Sequence, residues 1–405
     1  MNRNLLLNSC LVAGSTFVGF VFLFFVYSFL RRPPLASFDD HHLRLAHSNR
    51  FRVGEINELR SEFANAFEFS GISFEEKPFN GKYVNKLSDR SRYTVGNDGC
   101  DDLPRDNTVW VFGGSTVYGY GLPDHQTIPS QMARLLKQRT GDSWCVKNFG
   151  RGYYYSSQEL GLLLELLRDL ERVRPGHVVF IDGLNDFYHL SHSTFTPKSD
   201  IYGQPWFVSQ PIKFLEIGLK FVGRFQRLIA SGEARSRPHV FGSYRIFGLQ
   251  STFPVECFAL IDGRHDIGSQ AWKNCRPFLG KAATRLLDNW RFAALISNSV
   301  GASFLPVLQP VPAYPDSSKM NVFAAKSGLG QHLLSGYGYL ISADQRSPGA
   351  VNNFFAEQNL DGLNLSNLFG GDSEEACAYS YVDPVHYSNC GSSLIASRLV
   401  DLIAR

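Results

Sequence analysis

Four residues of the 405-residue sequence have side chains that could act together on an acyl group. Ser115 follows two glycines at the end of an apolar run, "VWVFGGSTVYGYG" at 109–121, and Asn185 lies in "DGLND". Asp383 and His386 lie three residues apart in "YVDPVHYS". A serine hydroxyl becomes a nucleophile when a histidine removes its proton, and an aspartate can hold that histidine in the required tautomer. An amide such as that of Asn185 can donate a hydrogen bond to a developing oxyanion.

Each of these motifs also has an ordinary structural interpretation. A Gly-Gly-Ser after a strand is more often a turn or a helix cap, and phosphate binding is a further alternative. The G-x-x-x-x-G-K-[ST] pattern typical of nucleotide-binding loops does not follow Ser115. G-x-N-D is common in turns, and a D-x-x-H pair is more often a surface or capping pair. The combination is informative only if the fold brings the motifs together.

Alternating strand and helix patterns predict such a fold. Four apolar segments have the character of buried strands: "TVWVFGG" at 108–114, "WCVKNFG" at 144–150, "HVVFIDG" at 177–183 and "ASFLPVLQPVP" at 302–312. Amphipathic segments predict helices at 127–141, 156–176, 282–301 and 390–405, and a further helix is expected around Ile56–Phe69. This order predicts a parallel sheet with helices on both faces, whose carboxyl strand ends carry the candidate residues.

The motifs, in this order along the predicted fold, resemble those of the SGNH/GDSL hydrolase superfamily. That superfamily is defined by four sequence blocks that carry Ser, Gly, Asn and His. The four matching segments are "FGGSTVYGYG", "NFGRGYYYSSQE", "FIDGLNDF" and "DPVHYS". They cover roughly residues 105–190 and 375–405. The resemblance implies a flavodoxin-like three-layer α/β/α sandwich and the hydrolysis or transfer of acyl groups in esters and thioesters.

The resemblance implies that Ser115 is the nucleophile and also an oxyanion donor through its backbone N–H. It further implies His386 as general base, Asp383 as its partner and the Asn185 amide as a second oxyanion donor. Two positions depart from the family pattern. Gly114 stands where the family usually has Asp. Tyr153 stands where it usually has Gly, five residues after the Asn of the second block, and Gly152 lies one place earlier. Either Gly152 or Tyr153 is therefore a candidate for the third N–H donor.

The N-terminus is expected to anchor the chain in a membrane. The segment from Asn4 to Leu30 carries no Lys, Arg, Asp or Glu, whereas a membrane span needs about 20 apolar residues. A cleaved signal peptide is the alternative, but its apolar region is usually shorter. The predicted organisation is a short tail at 1–4, an anchor at 5–30, a stalk and lead-in segment at 31–104, and a hydrolase-like domain at 105–405. An insertion is expected within that domain at about 190–280.

Cysteine usage favours an oxidising compartment for the catalytic part. Six cysteines lie outside the predicted span: Cys100, Cys145, Cys257, Cys275, Cys377 and Cys390. Two neighbouring pairs, Cys257 with Cys275 and Cys377 with Cys390, suit disulfides, although buried free thiols are common. Arg31 and Arg32 weakly favour the opposite orientation. The prediction is a single-pass membrane protein with a periplasmic or lumenal catalytic domain.

The leading functional prediction is a membrane-anchored serine esterase, or an acyltransferase, acting on O-acyl groups of glycans or the cell envelope. A lysophospholipase-type lipid esterase is an alternative, since the aromatic-rich segment at 201–225 could line an acyl pocket. A catalytically retired glycan-binding module is another. No cofactor or metal is expected, and a net charge of +3 without a clustered basic face does not favour nucleic acid. The oligomeric state stays open.

Overall fold

The computed structural model describes residues 46–47, 50–63, 67–69, 74–96, 100–169, 174–188, 270–311, 350–366, 368–369, 377, 379–383 and 385–405. The predicted anchor at 5–30 and residues 190–269 of the predicted insertion lie outside these ranges. Within them, no helix has the length and apolar character needed to cross a membrane. The anchor therefore stays a prediction from the sequence.

The described residues of the lead-in segment include a helix and two small antiparallel strand pairs. Helix α1 spans Val53–Ser61, strands β1 (Phe67–Phe69) and β2 (Phe74–Glu76) pair antiparallel, and so do β3 (Phe79–Asn80) and β4 (Asn85–Lys86). The prediction of one helix over Ile56–Phe69 was wrong in its second half. The Phe-Glu-Phe sequence of β1 has the period of two that suits a strand, and β2 supplies its partner.

A five-stranded parallel sheet forms the centre of the domain. Its strands are β5 (Thr108–Gly113), β6 (Cys145–Asn148), β7 (His177–Asp182), β8 (Ser303–Leu308) and β9 (Leu363–Asn364), in the spatial order β6-β5-β7-β8-β9. The four predicted strands are confirmed, and β9 was not predicted. This is the flavodoxin-like order, and its switch point lies between β5 and β7.

Helices flank the sheet. They are α2 (Ser115–Tyr118), α3 (Ile128–Thr140), α4 (Ser156–Arg168), α5 (Leu184–Tyr188), α6 (Gln270–Ser299), α7 (Ala350–Glu357) and α8 (Asn389–Ile403). The long helix predicted at 156–176 ends at Arg168, and α6 begins twelve residues before its predicted start at 282. Local signals delimit α3, since Thr127 caps its first turn and Gly141, at φ +81°, ends it.

Two hydrophobic layers cover the two faces of the sheet. Trp110 and Phe112 of β5 pack into a core formed with α4, α6 and α7. Val109 and Val111 of the same strand pack into a second core formed with α3 and α8. Alternate side chains of one strand thus enter opposite layers, as the pleat of a strand dictates. The predicted three-layer α/β/α class is confirmed for the described part of the chain.

Residues before β5 pack closely against the carboxyl edge of the sheet. The N–H of Arg92 donates to the carbonyl of Asn148 at 2.9 Å. The buried guanidinium of Arg92 pairs with Asp124 at 2.7 Å and also donates to three backbone carbonyls between Tyr118 and Leu122. This segment therefore supports the loop that follows Ser115. The domain limits themselves stay a prediction.

Two disulfides lie within the described residues. Cys377 pairs with Cys390, as the sequence predicted, and Cys100 pairs with Cys145 at the start of β6. Cys257 and the side chain of Cys275 lie outside the description, so the first predicted pair is untested.

Candidate active site

Ser115 stands where the chain leaves the sheet at the end of β5. The strand ends at Gly113, Gly114 is extended, and Ser115 begins the single turn of α2. A Cβ at Gly113 would overlap the side chain of Val117 and lie 2.9 Å from the carbonyl of Ile181. Gly119, at φ +88°, closes the turn by donating to the Ser115 carbonyl at 2.9 Å. The glycines therefore permit a sharp bend that presents the serine at the sheet edge.

The structure brings Ser115, His386 and Asp383 together in hydrogen-bonding order. Nε2 of His386 lies 2.8 Å from Oγ of Ser115, and Nδ1 of His386 lies 2.6 Å from Oδ2 of Asp383. A carboxylate on Nδ1 fixes the tautomer that leaves Nε2 free to accept the serine proton. The three side chains have the geometry of an activated nucleophile.

The loop before α8 also holds Asp383 in its ionised form. Its Oδ1 accepts the backbone N–H groups of Val385 at 2.9 Å and His386 at 2.8 Å. Burial, the largest single influence, raises the pKa of Asp383, but the charge and hydrogen bonds of His386 and the N–H of Val385 together keep that pKa below its usual range. An acceptor-only carboxylate therefore faces the imidazole at neutral pH.

Asn185 lies directly beside the backbone that precedes Ser115. It follows β7, across the switch point from Ser115, and its amide donates to the Tyr154 carbonyl at 2.5 Å. A Cβ at position 114 would overlap the amide nitrogen of Asn185. Gly114, the first departure from the family pattern, therefore makes room for Asn185 against the turn that carries Ser115. The amide carries a second N–H in addition to the one that Tyr154 accepts.

The second block forms a tight loop after β6. Asn148 accepts the N–H of Gly150 at 3.0 Å and donates to the carbonyl of Val117 at 3.1 Å, so its amide joins this loop to α2. The N–H of Gly152 donates to Oε1 of Glu76 at 2.9 Å. Because that N–H is already engaged, Gly152 is a poor candidate for the third oxyanion donor.

Tyr153 has a backbone conformation that favours glycine. Its φ is +64°, and its side chain is 38% exposed. The position five residues after Asn148 thus adopts the left-handed conformation, although it carries a bulky residue rather than the Gly of the family pattern. Such strain is retained mainly where surrounding structure requires it, and it is frequent at functional sites.

Two further residues, which the sequence did not single out, contact this site. The ring of Tyr120 stacks on the imidazole of His386, with centroids 5.5 Å apart and an interplanar angle of 21°. The hydroxyl of Tyr120 donates to Oε1 of Glu76 at 3.2 Å, which is also the acceptor for Gly152. Tyr120 lies in the first block, but Glu76 precedes all four blocks, so no motif pointed to it.

A buried acidic cluster lies behind the Asn185 turn. Asp182, at the end of β7, accepts the indole N–H of Trp290 at 2.7 Å, and Asp186 accepts the hydroxyl of Ser156 at 2.6 Å. Burial, followed by the charge of Asp186, raises the pKa of Asp182 to about 8. Burial, followed by Asp182, raises the pKa of Glu159 well above its usual range. Asp186 therefore braces the start of α4, and burial favours the protonated forms of Asp182 and Glu159.

Two other features at this edge are more modest. Gln309, which follows β8, accepts the hydroxyl of Thr116 at 3.2 Å, so it supports the turn that carries Ser115. Within the described part of the chain, no group of three or more His, Cys, Asp or Glu side chains is arranged to hold a metal ion.

Comparisons with known proteins give only structural likenesses. No family model matches the chain, and no curated protein matches it. A lipolytic protein of the G-D-S-L family from Veillonella parvula is 10% identical, with a TM-score of 0.37, over 74% of this chain and 98% of that one. A lipase/acylhydrolase from Enterococcus faecalis is 12% identical, with a TM-score of 0.34, over 73% and 95% of the two chains. The acetyl xylan esterase AlAXEase is 11% identical, with a TM-score of 0.36, over 72% and 97%. TM-scores below 0.5 do not identify the family of this chain.

Proposed function

We propose that the chain is a serine esterase of the SGNH/GDSL type that hydrolyses or transfers O-acyl groups. The observation that carries the proposal is the pair of hydrogen bonds made by His386, with Ser115 at 2.8 Å and with Asp383 at 2.6 Å. A histidine bonded on both nitrogens in this way can remove a proton from the serine and return it to a leaving group.

In the first half-reaction, Oγ of Ser115 bonds to the carbonyl carbon of the ester while its proton passes to Nε2 of His386. The resulting imidazolium is stabilised by Asp383, whose carboxylate stays ionised. The tetrahedral intermediate then collapses, the alcohol leaves with the proton from His386, and the acyl group remains on Ser115. In the second half-reaction, the oxygen of water or of an acceptor hydroxyl bonds to the acyl carbon while its proton passes to Nε2 of His386. The bond from Oγ of Ser115 to that carbon then breaks, Oγ takes the proton back from His386, and the acid or the new ester is released.

The negative charge of the intermediate needs hydrogen-bond donors at the sheet edge. We assign this role to the N–H of Ser115, the amide of Asn185 and the N–H of Tyr153. No acceptor for the Ser115 N–H lies among the described residues. Asn185 is adjacent to the turn through Gly114, and Tyr153 follows the loop that Glu76 holds.

The proposed substrates are O-acylated glycans of the cell envelope or outside the cell, and the proposed location is a membrane-anchored domain outside the cytoplasm. The uncharged segment from Asn4 to Leu30 supports the anchor. The disulfides Cys100–Cys145 and Cys377–Cys390 support an oxidising compartment. Thiol alkylation of intact cells, before and after reduction, tests whether these four cysteines are oxidised in place.

A fluorophosphonate probe tests the nucleophile. We expect labelling of the full-length protein and none of Ser115→Ala, and equal labelling of the two proteins would refute the assignment. Turnover of p-nitrophenyl acetate that is lost in His386→Ala distinguishes an enzyme from a retired binding module. A series of esters from acetyl to palmitoyl, run beside O-acetylated glycans, separates a carbohydrate esterase from a lipid esterase.

A further inference from the structure

We infer that Glu76 is a positioning residue. It fixes the position of the proposed general base, His386, relative to the loop after β6, which carries the proposed oxyanion donor Tyr153. This inference rests on the proposed function and adds to it a residue outside all four sequence blocks. A single carboxyl oxygen of Glu76, Oε1, accepts two hydrogen bonds. One comes from the Gly152 N–H at 2.9 Å and the other from the Tyr120 hydroxyl at 3.2 Å.

The first contact fixes the loop after β6. Gly152 immediately precedes Tyr153, so its bond to Glu76 holds the backbone one peptide unit before the N–H of Tyr153. A Cβ at Gly152 would lie 2.7 Å from the Tyr120 hydroxyl and 2.9 Å from Oε1 of Glu76. The absence of a side chain at Gly152 is therefore what allows Glu76 to approach the loop backbone.

The second contact fixes the ring that packs on the general base. Tyr120 stacks on His386, and it also stacks on Phe63 at a centroid distance of 4.9 Å. Burial, with the charge of Glu76, raises the pKa of Tyr120 well above its usual range, so its hydroxyl stays protonated and donates.

Glu76 is one of the residues through which β2 contacts the loop after β6. Glu75, the preceding residue of β2, pairs with Arg151 at 3.0 Å, so consecutive residues of the strand hold consecutive residues of the loop. The Glu76 side chain is buried, with the residue only 3% exposed. A buried acceptor shared by two donors restricts both more than an exposed one would, because water does not compete for it.

Kinetics of Glu76→Ala, Glu76→Gln and Tyr120→Phe in the full-length protein test the inference. Glu76→Ala removes both contacts, and we expect kcat for p-nitrophenyl acetate to fall about 10- to 100-fold while KM changes less than about threefold. Glu76→Gln keeps an oxygen acceptor at the same place, and it should restore kcat to within about fivefold of the wild type. Glu58→Ala, which removes an exposed carboxylate of the same lead-in segment, is the matched control and should leave kcat unchanged.

The rate of Ser115 labelling by the fluorophosphonate should follow the same order as kcat. Suppose that the wild type is labelled at Ser115, and that folded Glu76→Ala has a labelling rate and a kcat within twofold of the wild-type values. The inference then fails and the proposed function stands. If the wild type does not label, the proposed function fails first. If Glu76→Ala does not fold, Tyr120→Phe decides. A three- to tenfold loss of kcat at unchanged melting temperature supports the inference, and wild-type rates overturn it.

Discussion

The hydroxyl of Ser115 and Nε2 of His386 lie 2.8 Å apart although 271 positions separate them in the chain. The serine is placed by the bend after β5, and the histidine by the loop that enters α8. Both lie at the carboxyl edge of the same sheet, where a parallel α/β fold gathers residues from distant segments. Asp383 holds the opposite side of the same imidazole, with its Oδ2 2.6 Å from Nδ1 of His386.

We expect Asp383→Asn to lower kcat by about four orders of magnitude while the protein stays folded. An amide that donates to Nδ1 favours the wrong tautomer, so Nε2 can no longer accept the serine proton. Ester turnover and thermal unfolding of the purified variant measure the two properties. A variant that keeps more than about a tenth of wild-type kcat would show that Asp383 does not orient His386.

Gly114→Ala should lower both stability and activity. The added Cβ overlaps the Asn185 amide, and overpacking of this kind costs about 1–3 kcal/mol. Gly54→Ala is the matched control, because a Cβ at Gly54 meets nothing within 4 Å. Chemical denaturation and fluorophosphonate labelling should both separate the two variants. Unchanged labelling in Gly114→Ala would contradict a role for Asn185 beside Ser115.

The acidic cluster predicts a specific dependence of stability on pH. Asp182 has its pKa raised from 3.8 to about 8 in the folded protein, so its protonated form is favoured there. Its contribution to the free energy of unfolding is present in full below pH 3.8 and is lost progressively as the pH rises to about 8. Asp182→Asn should flatten this decline, whereas Asp288→Asn, an exposed control on α6, should not. Parallel urea titrations between pH 4 and 8 give the comparison, and equal slopes for the wild type and Asp182→Asn would contradict it.

The two disulfides should contribute unequally to stability. The bridges Cys100–Cys145 and Cys377–Cys390 span 45 and 13 residues. Loop-closure entropy gives about 4 and about 3 kcal/mol, respectively. Double Cys→Ser variants of each pair, unfolded in denaturant, measure the difference. We also expect the second pair to affect turnover more, because its loop carries Asp383 and His386. The reverse order of activity losses would argue against that role.

Much of the architecture follows from local patterns in the sequence. Buried strands of a parallel sheet carry apolar runs that face both layers, and the central residues of β5 and β7 stand out for that reason. Thr127 and Gly141 likewise mark the ends of α3. The two-residue strand β9 and helix α7 were missed, because elements this short carry too little periodicity to be recognised.

The sequence by itself identified Ser115, Asn185 and His386, in that order, as side chains suited to acyl chemistry. These residues lie at strand ends and turns, and such features are encoded by neighbouring residues. Only the tertiary structure decided which groups are already engaged. In the folded protein the Gly152 N–H donates to Glu76 and the ring of Tyr120 stacks on His386. Asn185 lies so close to Gly114 that a side chain there would overlap it. Such contacts join distant segments of the chain: Asn185 lies 31 positions from Tyr154, and His386 lies 271 positions from Ser115. They arise from packing across the sheet edge, for which the local sequence carries no signal.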